Sequence, residues 1–123
     1  MRAAVPALVS LAMLVGGAAL ADDAAGERVF RQCEVCHSIG DDDTGLPGPN
    51  LAGVVGRAAG RLPGFAYSTA MAAAGKEGLV WTPEALDLYL AGPHGGAIEF
   101  SGLPDPADRA AVIDYLTKVG AGP

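Results

Sequence analysis

The sequence predicts an all-α domain: a few short helices joined by long loops. Three observations carry this. Apolar residues recur three and four apart in four separate segments. The stretches between them hold most of the 18 glycines and 9 prolines. No run of alternating residues is long enough for more than a very short strand, and no internal repeat occurs.

Residues 1–21 read as an export signal. Arg2 gives the basic start, Val5 to Leu20 the apolar stretch, and Ala19-Leu20-Ala21 the small residues of a cleavage site, with the cut after Ala21. The apolar run is short for a membrane span, and Asp22, Asp23 and Glu27 follow it instead of basic residues. Residues 22–123 then form one domain with a small core. This part holds seven Lys and Arg against fourteen Asp and Glu. With no basic patch, nucleic-acid binding is excluded, and the acidic balance suits a partner with a basic face.

The first helix is expected from Asp22 to Cys36, capped by Asp22 or Asp23, with Val29, Cys33 and Cys36 at near-helical spacing. Gly26 weakens that helix, which points to a close crossing with another. Gly40 to Gly64 reads as loop, its Asp41-Asp42-Asp43 run solvated. Such a long loop in a small domain usually wraps something. An Ala-rich helix is expected over Tyr67–Ala74, ended by Gly75. The next runs from Thr82, a good N-cap followed by Pro83, to Leu90, and Gly92-Pro93 stop it. The last starts at Asp105 or its neighbours and reaches Lys118, burying Ala111, Val112, Tyr115, Leu116 and Val119.

CEVCHS contains the chain's only two cysteines, Cys33 and Cys36, and one of its two histidines, His37. Cysteines three apart close too small a loop to staple an exported domain. Cys-x-x-Cys-His is the attachment signature of c-type haem. Two thiols on neighbouring turns reach the two porphyrin vinyl groups, and the next residue supplies the proximal nitrogen. A thioredoxin-like pair needs a strand–helix–strand unit. Structural zinc needs a fourth ligand, for which only His94 remains.

Several segments in order extend the match: GERVFRQCEVCHS, GPNLAGVVGR, GFAYSTA, GLVW and DRAAVIDYL. With them the chain resembles a small class I cytochrome c of the mitochondrial and bacterial c2 kind, nearly end to end. The resemblance implies the small cytochrome c fold, about four helices and long loops wrapped around one covalent haem c. It implies a monomeric electron carrier rather than an enzyme, exported to the bacterial periplasm. Its partners would be redox proteins such as a membrane cytochrome complex, an oxidase or a dehydrogenase. It places Gly26 and Phe30 against Tyr115 and Leu116. It makes the Pro49 carbonyl the acceptor of the His37 ring N–H. It sets Arg57, Tyr67 and Trp81 around the haem propionates, with Leu51, Leu86, Leu90 and Leu116 on the haem wall.

The pattern breaks at AGPHGGAIEFSGL. The family's sixth ligand is a methionine two residues before a Phe and four before a Gly. With Phe100 and Gly102 as landmarks that position is Ile98, which cannot bind iron, and the stretch from Pro93 to Ile98 is several residues short. Met1 and Met13 lie in the leader, and Met71 lies on the Ala-rich segment. Three arrangements remain open. His94, beside Pro93 and Gly95-Gly96, completes bis-histidine ligation. Or the distal side is open and binds CO, NO or O2. Or water or a lysine such as Lys76 fills it. The family's lysine collar is also missing, since the chain has only Lys76 and Lys118.

Overall fold

The computed structural model describes residues 2–10, 17–40, 45–92 and 100–120. Four helices follow in order: α1 (Gly17–Phe30), α2 (Thr69–Lys76), α3 (Pro83–Ala91) and α4 (Pro106–Gly120). Among the described residues the β pairing is a single antiparallel bridge between Ala58 and Val80. A thioredoxin-like strand–helix–strand unit is therefore not what carries the cysteines.

Gly26 sets the central crossing. A Cβ there would stand 2.5 Å from both the Ala111 carbonyl oxygen and the Tyr115 Cβ, so α1 and α4 meet only because the side chain is missing. One turn on, the buried Phe30 tilts against Tyr115 with ring centroids 5.6 Å apart. Leu116 is buried in the same core. Lys118 pairs with Asp23 and Asp114 across the far end of this contact. These groups are half exposed, so water screens most of their attraction.

The helix boundaries correct several expectations. α1 starts at Gly17, so in the full chain neither Asp22 nor Asp23 caps it. It ends at Phe30, not Cys36. Residues 31–36 continue as tight turns, with Cys33 N–H on the Phe30 carbonyl at 2.7 Å and Cys36 N–H on the Cys33 carbonyl at 3.0 Å. Such three-residue bonds satisfy the last helical carbonyls while narrowing the coil.

α2 begins after Ser68, whose hydroxyl accepts from Met71 N–H at 3.1 Å. Gly75 does not end it. Gly75 lies inside the helix, buried against the Ala59 carbonyl, where a Cβ would overlap the oxygen. The stop comes at Gly78, with φ +97°, and Leu79 N–H bonds back to the Ala74 carbonyl at 3.0 Å. That pattern closes a helix with a residue only glycine readily supplies.

α3 follows expectation. Thr82 accepts from Ala85 N–H at 3.1 Å, Pro83 opens the helix, and Gly92 at φ +60° ends it. At α4 the Asp105 carboxylate accepts from Ala107 N–H at 2.9 Å. The helix runs to Gly120, two residues past Lys118, and buries Val112, Ile113 and Leu116. Ile113 was not part of the expected stripe. Ala111, Tyr115 and Val119 are only partly buried.

Arg109 ties α3, α4 and the intervening loop together. Its guanidinium donates to Asp87 at 2.7 Å and to the carbonyls of Leu103 at 2.8 Å and Pro104 at 3.2 Å. Beside it, Leu103 N–H bonds the Leu90 carbonyl at 2.7 Å, and Gly102 packs on Ala91 and Gly92. The chain thus returns to within contact of its own exit point from α3.

Candidate functional site

The tight turns after α1 place Cys33, Cys36 and His37 on consecutive steps of one short coil. Both cysteines are free and half-buried. Burial pushes the Cys33 thiol up from its ordinary value, with the charges of Glu34 and Cys36 adding to the effect. Cys33 therefore favours its neutral thiol in the folded chain.

His37 is held from the other side by the loop. Its Nδ1 lies 2.7 Å from the Pro49 carbonyl oxygen. With the proton on Nδ1, this bond fixes the tautomer and the ring plane, and it leaves Nε2 with its lone pair available to a metal. Gly48 makes the approach possible. A Cβ at Gly48 would strike the ring, 2.7 Å from Nδ1, and would lie 2.8 Å from the Cys36 carbonyl oxygen. Gly48 N–H donates to that same carbonyl at 2.8 Å. Sequence reasoning missed this role. The available signal was the adjacency of Gly48 to Pro49, whose carbonyl was expected to meet His37.

Asn50 secures the loop. Its side chain donates to the Gly40 carbonyl at 2.7 Å and accepts from Ala52 N–H at 2.8 Å. Arg57 donates to the carbonyls of Asn50 at 3.0 Å and Ala52 at 3.2 Å. The backbone brings Arg57 next to Trp81, whose N–H donates to the Arg57 carbonyl at 2.9 Å. Trp81 is buried and packs edge-on against Tyr89 with centroids 5.0 Å apart. Two residues far apart in sequence, expected at one place, thus meet at the Ala58–Val80 bridge. Tyr67 makes local contacts: its hydroxyl accepts from Leu62 N–H at 3.2 Å, and its ring packs on Phe65. Leu86 and Leu116 are buried, and Leu51 and Leu90 pack partly buried against the same core.

The donor set fits haem c: an imidazole oriented through one nitrogen, and two free thiols on the turn beside it. The zinc alternative depended on His94. His94 and Ile98 both lie outside the described residues, as does the Asp41–Asp43 run.

No family model matches the chain. Cytochrome c2 of Afifella marina is 45% identical over 97 residues, 76% of this chain and 78% of that protein. Cytochrome c2 iso-2 of Rhodospirillum centenum is 42% identical over 114 residues, 79% of this chain and 94% of that protein. The solved structure of cytochrome c2 from Rhodospirillum centenum superposes with a TM-score of 0.72 at 39% identity, covering 80% of this chain and 98% of that one. The CEVCH turn, the imidazole held by Pro49 and these likenesses agree, and the chain belongs to the cytochrome c2 family of class I cytochromes c, electron carriers that hold one covalent haem c and are not enzymes.

Proposed function

We propose that the chain, cut after Ala21 and exported to the bacterial periplasm, carries single electrons between redox proteins as a monomer. Its partners there include a membrane cytochrome complex, an oxidase or a dehydrogenase. The observation that carries the reading is the 2.7 Å contact of His37 Nδ1 with Pro49 beside two free thiols. When bound, the haem supplies a one-electron ferric–ferrous couple. Cys33 and Cys36 would hold it through their thiols, and His37 would offer its Nε2 to the iron. Pro49 keeps the ring from turning and raises its donor strength. Arg57 and Trp81, joined at the bridge, and Tyr67 would surround the haem propionates. Export is supported by Val5, Leu8 and Val9, which stand 87%, 95% and 84% exposed. Among the described residues no helix is long and apolar enough to cross a membrane.

The test is expression with an export-coupled haem maturation system. The expected product is periplasmic, begins at Asp22 and has the mass of residues 22–123 plus one haem. Cys33→Ala with Cys36→Ala should abolish covalent haem. Recovery of an untrimmed product, or of a haem-free one, would overturn the reading.

A second reading rests on one sequence fact: no methionine lies between Gly92 and Gly102. On this reading the distal side is open and takes CO, NO or O2. Rapid CO uptake by the reduced protein would favour it. Low-spin iron that resists CO and is lost in His94→Ala would instead assign His94 as the second axial ligand.

A further inference from the structure

A groove of about 680 Å³ runs between α3 and α4, on residues the haem site does not use. Leu88, Ile113 and Ala110 give it an apolar floor and wall, and Glu84, Asp87 and Asp114 line it. Its titratable lining is acidic throughout. Leu88 is 76% exposed although the core beneath it is built from leucines of the same helix. Leu86 and Leu90 turn inward, as their burial shows. Leu88 is two residues from each, roughly 200° around a helix, and so projects from the opposite face. Glu84, four residues earlier, shares that face.

The nearby cations offset this surface only in part: Arg109 neutralises Asp87, one lysine serves both Asp114 and Asp23, and among the described residues no ion pair holds Glu84. Arg109 has a side chain only 13% exposed and spends its donors on Asp87 and two carbonyls. Lys118 is divided between Asp114 and Asp23. A second copy of the chain is a poor occupant, because each copy is strongly acidic and would bring the same acidic rim. Its lining recurs three and four residues apart along both helices, Glu84, Asp87 and Leu88 on one and Ala110, Ile113, Asp114 and Thr117 on the other, which suits a helix better than a small molecule.

We propose that this groove docks a basic amphipathic helix of a partner protein, with an apolar side chain against Leu88 and Ile113 and Lys or Arg against Glu84 and Asp114. Cys33, Cys36 and His37 are not part of the groove, so docking here does not require contact with the haem-attachment turn. This goes beyond the carrier reading: the groove acts as a tether, and its loss leaves haem content and potential unchanged.

The test is an NMR titration of the haem-loaded protein with a synthetic Lys/Leu peptide whose leucines share one helical face. A scrambled peptide of the same composition is the control. The expected result is saturable amide shifts confined to residues 83–88 and 110–117. Binding should be tighter than the scrambled control by about tenfold and weaker in salt. Leu88→Gln and Glu84→Gln should each reduce it; the first leaves thermal stability unchanged because Leu88 is exposed, and the second lowers it only slightly, through the lost charge in the first turn of α3. Equal binding of the two peptides, shifts centred on residues 33–37, or signal broadening that rises with protein concentration alone would each overturn the proposal.

Discussion

The Gly48 backbone lies against the His37 ring with no room for a side chain: a Cβ there would stand 2.7 Å from Nδ1. The backbone at Gly48 is not left-handed, so the requirement is for space rather than conformation. Gly48→Ala should therefore displace the imidazole from Pro49 and cost about 1–3 kcal/mol. Denaturant unfolding of the haem-loaded protein reads the cost, and altered ferric EPR g-values and midpoint potential read the ring movement. Gly40→Ala is the control, since a Cβ there meets nothing within 4 Å.

Gly75→Ala sets two effects in opposition. Alanine favours a helix interior over glycine by about 1 kcal/mol. The new Cβ would overlap the Ala59 carbonyl, which is backbone and cannot swing aside. Overpacking of that kind costs about 1–3 kcal/mol and should win. A lowered urea midpoint with an unchanged slope checks it, and a raised midpoint would show that the Ala59 turn yields.

Arg109 should matter more than the ion pair it forms. Asp87 has a side chain 47% exposed, so Asp87→Ala should cost less than about 1 kcal/mol. Arg109→Ala also strips the Leu103 and Pro104 carbonyls of their donor and should cost about 2–3 kcal/mol. Urea unfolding of the two variants and their double mutant gives the ordering. Equal losses would place the stabilisation in the ion pair instead.

Tyr115 is pushed above its ordinary value by burial first, then by the charges of Glu27 and Glu34, and burial does the same to Tyr89. A group that holds its proton more tightly when folded stabilises the fold fully below its unfolded pKa, about 10 for tyrosine. That contribution is lost as pH rises through the raised folded value. Stability should thus fall above about pH 10, and Tyr115→Phe should flatten the fall. Thermal unfolding across that range is the measurement, and an unchanged slope in the variant would reject the assignment.

Much was legible because the signals are local. Thr82-Pro83 and Gly92 bound α3 as expected, since a cap acts within one turn of itself. The Cys33, Cys36 and His37 cluster needs only its own spacing to be recognised. Gly26 was readable as a crossing because a glycine in a helix interior has to be offset by something. Gly75 misled for the same reason: a stop glycine and a packing glycine look alike until the neighbouring chain is seen.

The sequence by itself determined the haem-attachment chemistry, the all-helical class and the starts of α3 and α4, because caps, breakers and ligand spacing act over a few covalently linked residues. Only the tertiary structure decided that Gly48 must be bare against His37, that Gly75 buries rather than ends α2, that Arg57 meets Trp81, and that Arg109 closes the loop base. Each of those depends on segments far apart in the chain arriving within van der Waals or hydrogen-bonding distance, and no local residue pattern encodes that arrival.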